Sequence, residues 1–479
     1  MWTDIKLMRT RITRAWPELK QKPFRLLSMT IIVYMAVVWS WLLLIDAAQL
    51  AGNTLTGIVL AVLVYITMVT VSSLIAVSAT RFVYRYYHNH AQVGIWFVVG
   101  LFVLWAAIEW VVAHAVALLW MGQDGSWDTS LPFGSLTPWL MYTPLRFLAR
   151  LLGYYGLSAA VGVFVVVFLS KKLRRLALPY GLVLVGLTIF AWGWYRTSSG
   201  VSIEAVIAAE QLDVQQQIVT DADLVLLPEY GLDDVPSDTS RQRVVSPASK
   251  EVFFIGSHQD DSNTESGAVR NTLTLGSATR GFISEQAKTR LIPGSEYVPF
   301  SVEILLRAAG ADETLLHFAA TRAVEKGEAP IQPLPLRDGI VAGSEVCSSI
   351  IAPEDYRRLV ASGATLLTNS ASLGVFRGSL MYQAQHEGLA RFMATANARP
   401  FLQSSSGGRS LAVDHQGTLI ASTQPVSTMN VIVQGNQRLT PYARVGEWPV
   451  ILGLMLLFAL LAQHTKVHYF STAIKTKIQ

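Results

Sequence analysis

From residue 26 to residue 196 apolar side chains run almost without interruption, broken only by short polar stretches. A helix needs roughly 20 mostly apolar residues to cross about 30 Å of hydrocarbon. Leu26–Ile45, Leu55–Ala79, Val93–Trp120 and Leu176–Tyr195 meet that length, and Tyr154–Leu169 meets it when extended back through Leu151 and Leu152. A last run, Trp448–Ala462, is short and needs flanking residues to complete a span. The pattern predicts six spans. Leu136–Arg150 is also apolar, but Pro138, Pro144, Arg146 and Arg150 interrupt it. It reads as an interfacial or re-entrant segment whose arginines snorkel to the surface.

Between residues 197 and 446 the pattern changes to short apolar runs separated by polar and glycine-containing turns. Ala205–Ala208, Leu224–Leu227, Val252–Gly256, Thr272–Leu275 and Thr365–Thr368 read as buried strands by length and flanking residues. Glu354–Ala361 and Tyr382–Asn397 have helical spacing, and the second groups Leu389, Phe392 and Met393 on one face. Ser404–Gly408 reads as a Ser/Gly loop, and the apolar stretch between Glu296 and Leu316 as a loop able to close over a site. Mixed strands and helices in a segment of this size predict a layered α/β domain.

Composition agrees with two environments in one chain. Charged residues are 15% of the 479, against roughly 25% in soluble domains, and mean hydropathy is +0.38. A net charge of +5 would suit a nucleic-acid partner, but the positions argue against one. The basic residues flank apolar runs: seven between Lys6 and Arg25, then Lys171, Lys172, Arg174 and Arg175, then Lys466, Lys475 and Lys477. Such residues anchor spans at an anionic membrane surface. By the excess of Lys and Arg in cytoplasmic loops, residues 1–25 are expected inside and the loop Ala47–Asn53 outside. Thr80–Gln92, with Arg81 and Arg85, falls inside, and the acidic loop holding Asp124 and Asp128 outside. Lys171–Arg175 is then inside and residues 197–446 outside. Residues 447–463 form the last span and 464–479 an inside tail. Only Arg146 and Arg150 dissent. The first apolar run is too long for a signal-peptide core and lacks a small-residue cleavage site. One cysteine forms no internal disulfide, so cysteine usage does not identify the redox compartment.

Three features stand at the ends of expected strands: Glu229 after Leu224–Pro228, Lys288 before Leu291-Ile292-Pro293-Gly294-Ser295-Glu296-Tyr297-Val298-Pro299, and Cys347 within Gly343–Ser349. A thiol attacks only as thiolate. A carboxylate can take its proton, and an ammonium can stabilise the thiolate and a tetrahedral oxyanion. Taken singly each is weak: a lone cysteine is more often a small buried hydrophobe, Glu229 reads equally as a turn residue and Lys288 as a solvated lysine. No set of histidines has zinc-ligand spacing, and nothing implies a cofactor. Glu109, within the third span, is costly in lipid and calls for a bonded neighbour or a water-lined position.

In combination and order, Glu229, Lys288 and Cys347 resemble the Glu-Lys-Cys triad of the nitrilase, or carbon–nitrogen hydrolase, superfamily. The lysine segment is similar to that of its membrane branch, the bacterial apolipoprotein N-acyltransferases. Glu109-Trp110, Pro138-Trp139-Leu140, Tyr155-Gly156-Leu157-Ser158, Gln385-His386 through Arg399-Pro400, and Asp414-His415-Gln416-Gly417 extend the likeness. Departures accompany it. The family follows its cysteine with Tyr-Glu, where Ser348 and Ser349 stand here. Its Ser-Asn-Asp-Ala-Trp-Phe-Gly has become Thr368–Gly374, Gly294-Ser295 replaces Phe-Gly, and it typically has eight spans.

The resemblance implies a polytopic helical membrane domain plus an α-β-β-α sandwich outside a bacterial cytoplasmic membrane. It implies a monomer that takes an acyl chain from phospholipid onto Cys347. The chain then passes to the α-amine of a diacylglyceryl-cysteine at a lipoprotein N-terminus. Glu229 is then the base, Lys288 the oxyanion cation, Glu296 a second carboxylate near the thiol, and the Ser348 N–H a further oxyanion donor. Trp139 and Tyr142, otherwise plain interfacial anchors, and Asn369 are candidates for binding substrate. A membrane-tethered amidase or acyl hydrolase with the same triad, and a non-catalytic sensor with a degenerate domain, are the competing readings.

Overall fold

The computed structural model describes residues 25–46, 54–89, 94–122, 130–170, 172–198, 200–209, 217–233, 244–248, 250–260, 269–294, 296–321, 324–376, 379–423 and 427–460. The basic N-terminal cluster before Arg25 and the three tail lysines lie outside them.

Among the described residues, five helices are long and apolar enough to cross a membrane: Arg25–Leu44, Thr54–Arg81, Ile95–Leu118, Pro144–Leu169 and Arg174–Trp194. Trp448–Leu460 is apolar but shorter. Leu26, Val33, Ile58, Ile66, Leu178 and Ile189 all point outward. Hydrocarbon, not water, is the solvent that suits such a surface. The fourth helix is the hub: its apolar window is 67% buried, against 17–33% in the other four. Glu109 points inward to it, where Oε1 accepts from Ser158 Oγ at 2.5 Å and from Trp105 Nε1 at 2.8 Å. The bonded-neighbour reading of this carboxylate fits that geometry.

The fourth helix also corrects the reading of Leu136–Arg150. A short helix, Thr137–Leu140, and a 3-10 turn, Pro144–Leu148, lead directly into Ala149–Leu169. Arg150 does not snorkel but is wholly buried. It donates to the carbonyls of Ala191 (2.9 Å), Thr395 (3.1 Å) and His415 (2.9 Å), and Arg146 donates to that of Gln416 (2.9 Å). Ala191 and Thr395 lie in the last turns of Ala177–Trp194 and Leu380–Asn397, whose final carbonyls have no partner within the helix. The planar fork of donors reaches three carbonyls from distant parts of the chain at once. Within the same helix Gly153 breaks the helical path at φ +74°, and the Glu447 carboxylate accepts from the freed amides of Tyr154 (2.6 Å) and Tyr155 (3.2 Å). A Cβ at Gly153 would meet that carboxylate at 2.7 Å, so the position requires glycine twice over.

Among the described residues fourteen strands follow in chain order. These are β1 Ser202–Ile207, β2 Ile218–Val219, β3 Leu224–Leu226, β4 Val244–Val245, β5 Phe253–Asp260, β6 Arg270–Ser277 and β7 Gly281–Ala287, then β8 Leu334–Arg337, β9 Ile340–Val346, β10 Leu366–Ser372, β11 Phe401–Ser406, β12 Leu411–Val413, β13 Leu419–Ser422 and β14 Met429–Gln434. They form two six-stranded sheets, β14-β1-β3-β5-β6-β7 and β13-β12-β11-β10-β9-β8, with β2 and β4 as a separate pair. The central strands β1-β3-β5 and β9-β10-β11 are parallel and the outer ones antiparallel. Helices Pro353–Ala361 and Leu380–Asn397 make the crossovers from β9 to β10 and from β10 to β11. The inner faces pack on each other through residues such as Ile203, Leu224, Phe253, Ala342, Leu366 and Leu402, a two-sheet core of a layered α/β fold. Leu389, Phe392 and Met393 are fully buried on one face of their helix, as their spacing requires.

Two further readings are corrected. Ser404–Ser406 is not loop but the end of β11, paired with Ser370–Ser372 of β10. Pairing overrides the turn preference of serine because the Ser404 hydroxyl is satisfied by the Ala208 carbonyl and the Ser405 amide by Ser410 Oγ. The stretch after Glu296 is helical, Phe300–Ala308 and Asp312–Thr321. Val302 and Leu306, four apart, bury against Leu60 of the second membrane helix, and this helical spacing overrides a loop assignment.

Candidate active site

β3 lies between β1 and β5, so its Leu224, Val225 and Leu226 are buried on both faces, as a central parallel strand demands. Pro228 cannot extend the ladder, and Glu229 leaves the strand at the sheet's carboxyl edge. Lys288 is the first residue after β7, held by its amide bond to Asn271 O (2.8 Å). The segment beyond it closes on itself: the Glu296 amide donates to Ile292 O (3.0 Å) and the Ile292 amide to Glu296 Oε2 (2.8 Å), with Gly294 at φ +78°. Cys347 follows the last residue of β9 and starts the 3-10 turn Cys347–Ile351.

These turns bring four side chains together. Lys288 Nζ donates to Glu296 Oε1 at 2.8 Å and to Glu229 Oε1 at 3.4 Å, and it is wholly buried. Asn271 Nδ2 donates to Glu229 Oε1 at 2.8 Å. The Cys347 thiol lies within hydrogen-bonding reach of Glu229, with Sγ 3.7 Å from Ser372 O. Among the described residues three non-glycine positions have positive φ, and two of them, Tyr230 (60°) and Cys347 (50°), flank this cluster. Strained backbone of that kind collects at functional sites.

The charges sort themselves by burial. Desolvation pulls Lys288 down, but Glu296 and Glu229 outweigh it and hold the ammonium well above the usual lysine range. Burial pushes the Cys347 thiol well up, Glu229 adds to that, and Lys288 opposes it. Burial also raises Glu229, against the pull of Lys288. The resting pair is therefore a neutral thiol beside a carboxylate made more basic than usual. That arrangement stores a proton acceptor next to a latent nucleophile.

Asn369 lies behind Cys347, not in front of it. Its Nδ2 donates to Cys347 O (3.1 Å) and to Gln403 Oε1 (3.2 Å), and Gln403 Oε1 also takes His386 Nε2 (2.8 Å). Burial pulls His386 down to about 4, so at neutral pH the ring is uncharged and donates from Nε2. This buried relay fixes the carbonyl of a residue held at positive φ. Ser348 is the second residue of the turn, where backbone N–H groups have no acceptor within the turn itself.

A cavity of about 490 Å³ opens from Cys347, Glu229 and Glu296. Part of its wall comes from the membrane helices, Trp39, Trp41 and Leu42 from the first and Leu60, Val64 and Met68 from the second, and part from the α/β domain, with Val298, Val302, Phe376 and Tyr382 among the residues. Trp139 and Tyr142 do not line it. Tyr142 Oη donates to Ala384 O (2.8 Å) and its ring carries Arg391 at 4.8 Å, while Trp139 is part-buried. Trp39, Trp41 and Phe133, tilted or edge-to-face with ring centroids 5.5–6.1 Å apart, form the aromatic wall in their place. The legible signal was two tryptophans at the end of the first apolar run, the usual mark of a membrane interface.

Residues 203–440 match the carbon–nitrogen hydrolase family. Over 390 residues, 74% of this chain and 73% of the other, the sequence is 23% identical to the apolipoprotein N-acyltransferase of Vibrio vulnificus. Over 363 residues, 67% and 65% of the two chains, it is 26% identical to that of Ralstonia nicotianae. The chain belongs to the apolipoprotein N-acyltransferase family, the membrane branch of the carbon–nitrogen hydrolases. Among solved structures, a carbon–nitrogen hydrolase from Helicobacter pylori aligns at 14% identity and a TM-score of 0.36, covering 52% of this chain and 94% of that one. The domain match accounts for the sandwich.

Proposed function

We propose that the chain transfers an acyl group from phospholipid to the α-amine of a diacylglyceryl-cysteine at a lipoprotein N-terminus, through a thioester on Cys347. The observation that carries the reading is the cavity: a thiol, a basic carboxylate and a buried ammonium stand at one end, and apolar membrane helices wall the other. The names of the relatives support the same substrates.

In the first half, Cys347 Sγ attacks the ester carbonyl as its proton passes to Glu229. Lys288 Nζ and the Ser348 N–H hold the oxyanion. The C–O bond breaks, Glu229 returns the proton to the departing glycerol oxygen, and a lysophospholipid leaves. In the second half a neutral α-amine attacks the thioester, Glu229 takes its proton, and the C–S bond breaks as the thiol is re-formed. Glu296 keeps Lys288 charged and in place throughout. Both substrates diffuse in the bilayer, so a cavity walled by membrane helices lets them enter without crossing water.

The decisive experiment separates transferase from hydrolase. Intact mass of the purified protein with phospholipid alone should show a persistent acyl adduct on Cys347. A diacylglyceryl lipopeptide with a free α-amine should discharge it, and the N-acetylated lipopeptide should not. An adduct that decays to free fatty acid at one rate, with or without the free-amine lipopeptide, makes the protein a hydrolase.

Sidedness belongs to the same proposal: residues 197–446 on the extracytoplasmic face, both ends inside. A reporter fused after Gly200 should be active only outside the cytoplasm. Activity restricted to the cytoplasm overturns that orientation.

A further inference from the structure

Glu345 is a buried acid that the steps above leave unused. It stands on β9, two residues before Cys347 opens the following turn. It is 2% exposed, and its Oε2 makes no hydrogen bond. The carboxyl lies against Asp355, Ser349, Arg290 and Lys288. Arg290 holds Asp355 with two of its donors, Nε to Oδ2 at 2.6 Å and Nη2 to Oδ1 at 3.0 Å. Ser349 is wholly buried too, and its hydroxyl has no partner of good geometry. A bare carboxyl and a bare hydroxyl facing each other in the interior cost about 1–3 kcal/mol each unless they serve one another.

We propose that Glu345 is a positioning residue for the reaction at Cys347: from the strand before the nucleophile, its carboxyl braces Ser349 in the turn after it, and so aims the Ser348 N–H at the reacting carbonyl. The proposal rests on Cys347 being the nucleophile. Burial, then Asp355, pushes the Glu345 carboxyl above its ordinary range, with Tyr356 on the same helix as Asp355 and Lys288 and Arg290 on the opposite loop completing its surroundings. A protonated carboxyl has the O–H that an ionised one lacks, and Ser349 Oγ is an acceptor for it. This chain has serine where its family carries glutamate two places after the cysteine. Here an acid stands on the strand before the cysteine and none in the turn after it.

The test is a carboxyl swap in the full-length protein, read as the rate of acyl-adduct formation on Cys347 from phospholipid vesicles. Glu345→Ala should slow the rate by about 10–100-fold, the scale of a small misplacement of a reacting group. Glu345→Gln, which keeps a donor and an acceptor, should stay within about threefold of the parent. The double substitution Glu345→Ala, Ser349→Glu, returning the acid from the other side, should recover most of the loss. A Glu345→Ala rate equal to the parent's overturns the proposal, and so does a swap no faster than Glu345→Ala. An unmodified parent protein that forms no adduct at all counts against the nucleophile reading instead.

Discussion

Cys347→Ala will show no acyl adduct by intact mass after incubation with phospholipid, and Glu229→Gln will form it about 10²–10⁴ times more slowly than the parent. The first result follows from composition, since the chain holds no second thiol. The second follows from electrostatics. Burial and the neighbouring carboxylate keep Cys347 protonated at rest, and Lys288 alone does not reverse that. The proton must therefore leave during attack, and Glu229, within reach and more basic than an ordinary carboxylate, is what receives it. A glutamine keeps the oxygen that accepts from Asn271 Nδ2 at 2.8 Å but cannot take a proton. If the adduct grows at the parent rate in Glu229→Gln, the thiol is ionised by some other group and the base assignment fails.

Lys288→Met carries the second large effect. It removes a fully buried cation from between two carboxylates, at 2.8 Å and 3.4 Å. Losing one member of a buried charge cluster costs about 3–5 kcal/mol, and losing an oxyanion donor costs about 10²–10³ in rate. The pH dependence has a definite sign. In the parent the raised lysine value means that this pairing is fully present below the unfolded lysine range and is lost only as pH climbs past it. The lysine itself stays charged from pH 5 to pH 8. In the variant Glu229 and Glu296 face each other without the cation, so one must hold a proton when folded. A folded state that binds the extra proton gains stability as pH falls. The deficit in melting temperature should shrink from pH 8 to pH 5, and the acid limb of adduct formation should move to higher pH. A deficit independent of pH, with the acid limb unmoved, would show that the two carboxylates are not coupled through Lys288.

The strand cores were readable because a buried parallel strand shows as a short apolar run, and Leu224–Leu227 and Val252–Gly256 are such runs. The helices beneath the second sheet were readable for the same reason, since Leu389, Phe392 and Met393 recur at helical spacing. The polar residues that meet at the cavity were visible as three features at strand ends, joined only by their order and by likeness to a family. What escaped depends on contacts between distant parts of the chain. Trp39 and Trp41 wall the cavity because the first membrane helix ends beside β10 and the helix Leu380–Asn397, where Gln385 Nε2 donates to Val38 O across 347 residues. Arg150 reads as a surface arginine until its acceptors, 41 to 265 residues away, are in place. Glu345 is invisible for another reason: on an apolar strand one carboxylate looks like an exception until the serine opposite it is known to be buried.

The Glu447 cap bears on the order in which the protein can be made. The fourth membrane helix leaves the ribosome with the amides of Tyr154 and Tyr155 released by the break at Gly153, and their acceptor lies 293 and 292 residues further along. Through synthesis of the whole sandwich, two donors in an apolar setting wait for a partner that precedes the last helix. The hub against which that sandwich seats is thus finished last. A chain stopped before Glu447 could complete both sheets and still lack the closed helix that carries Arg150.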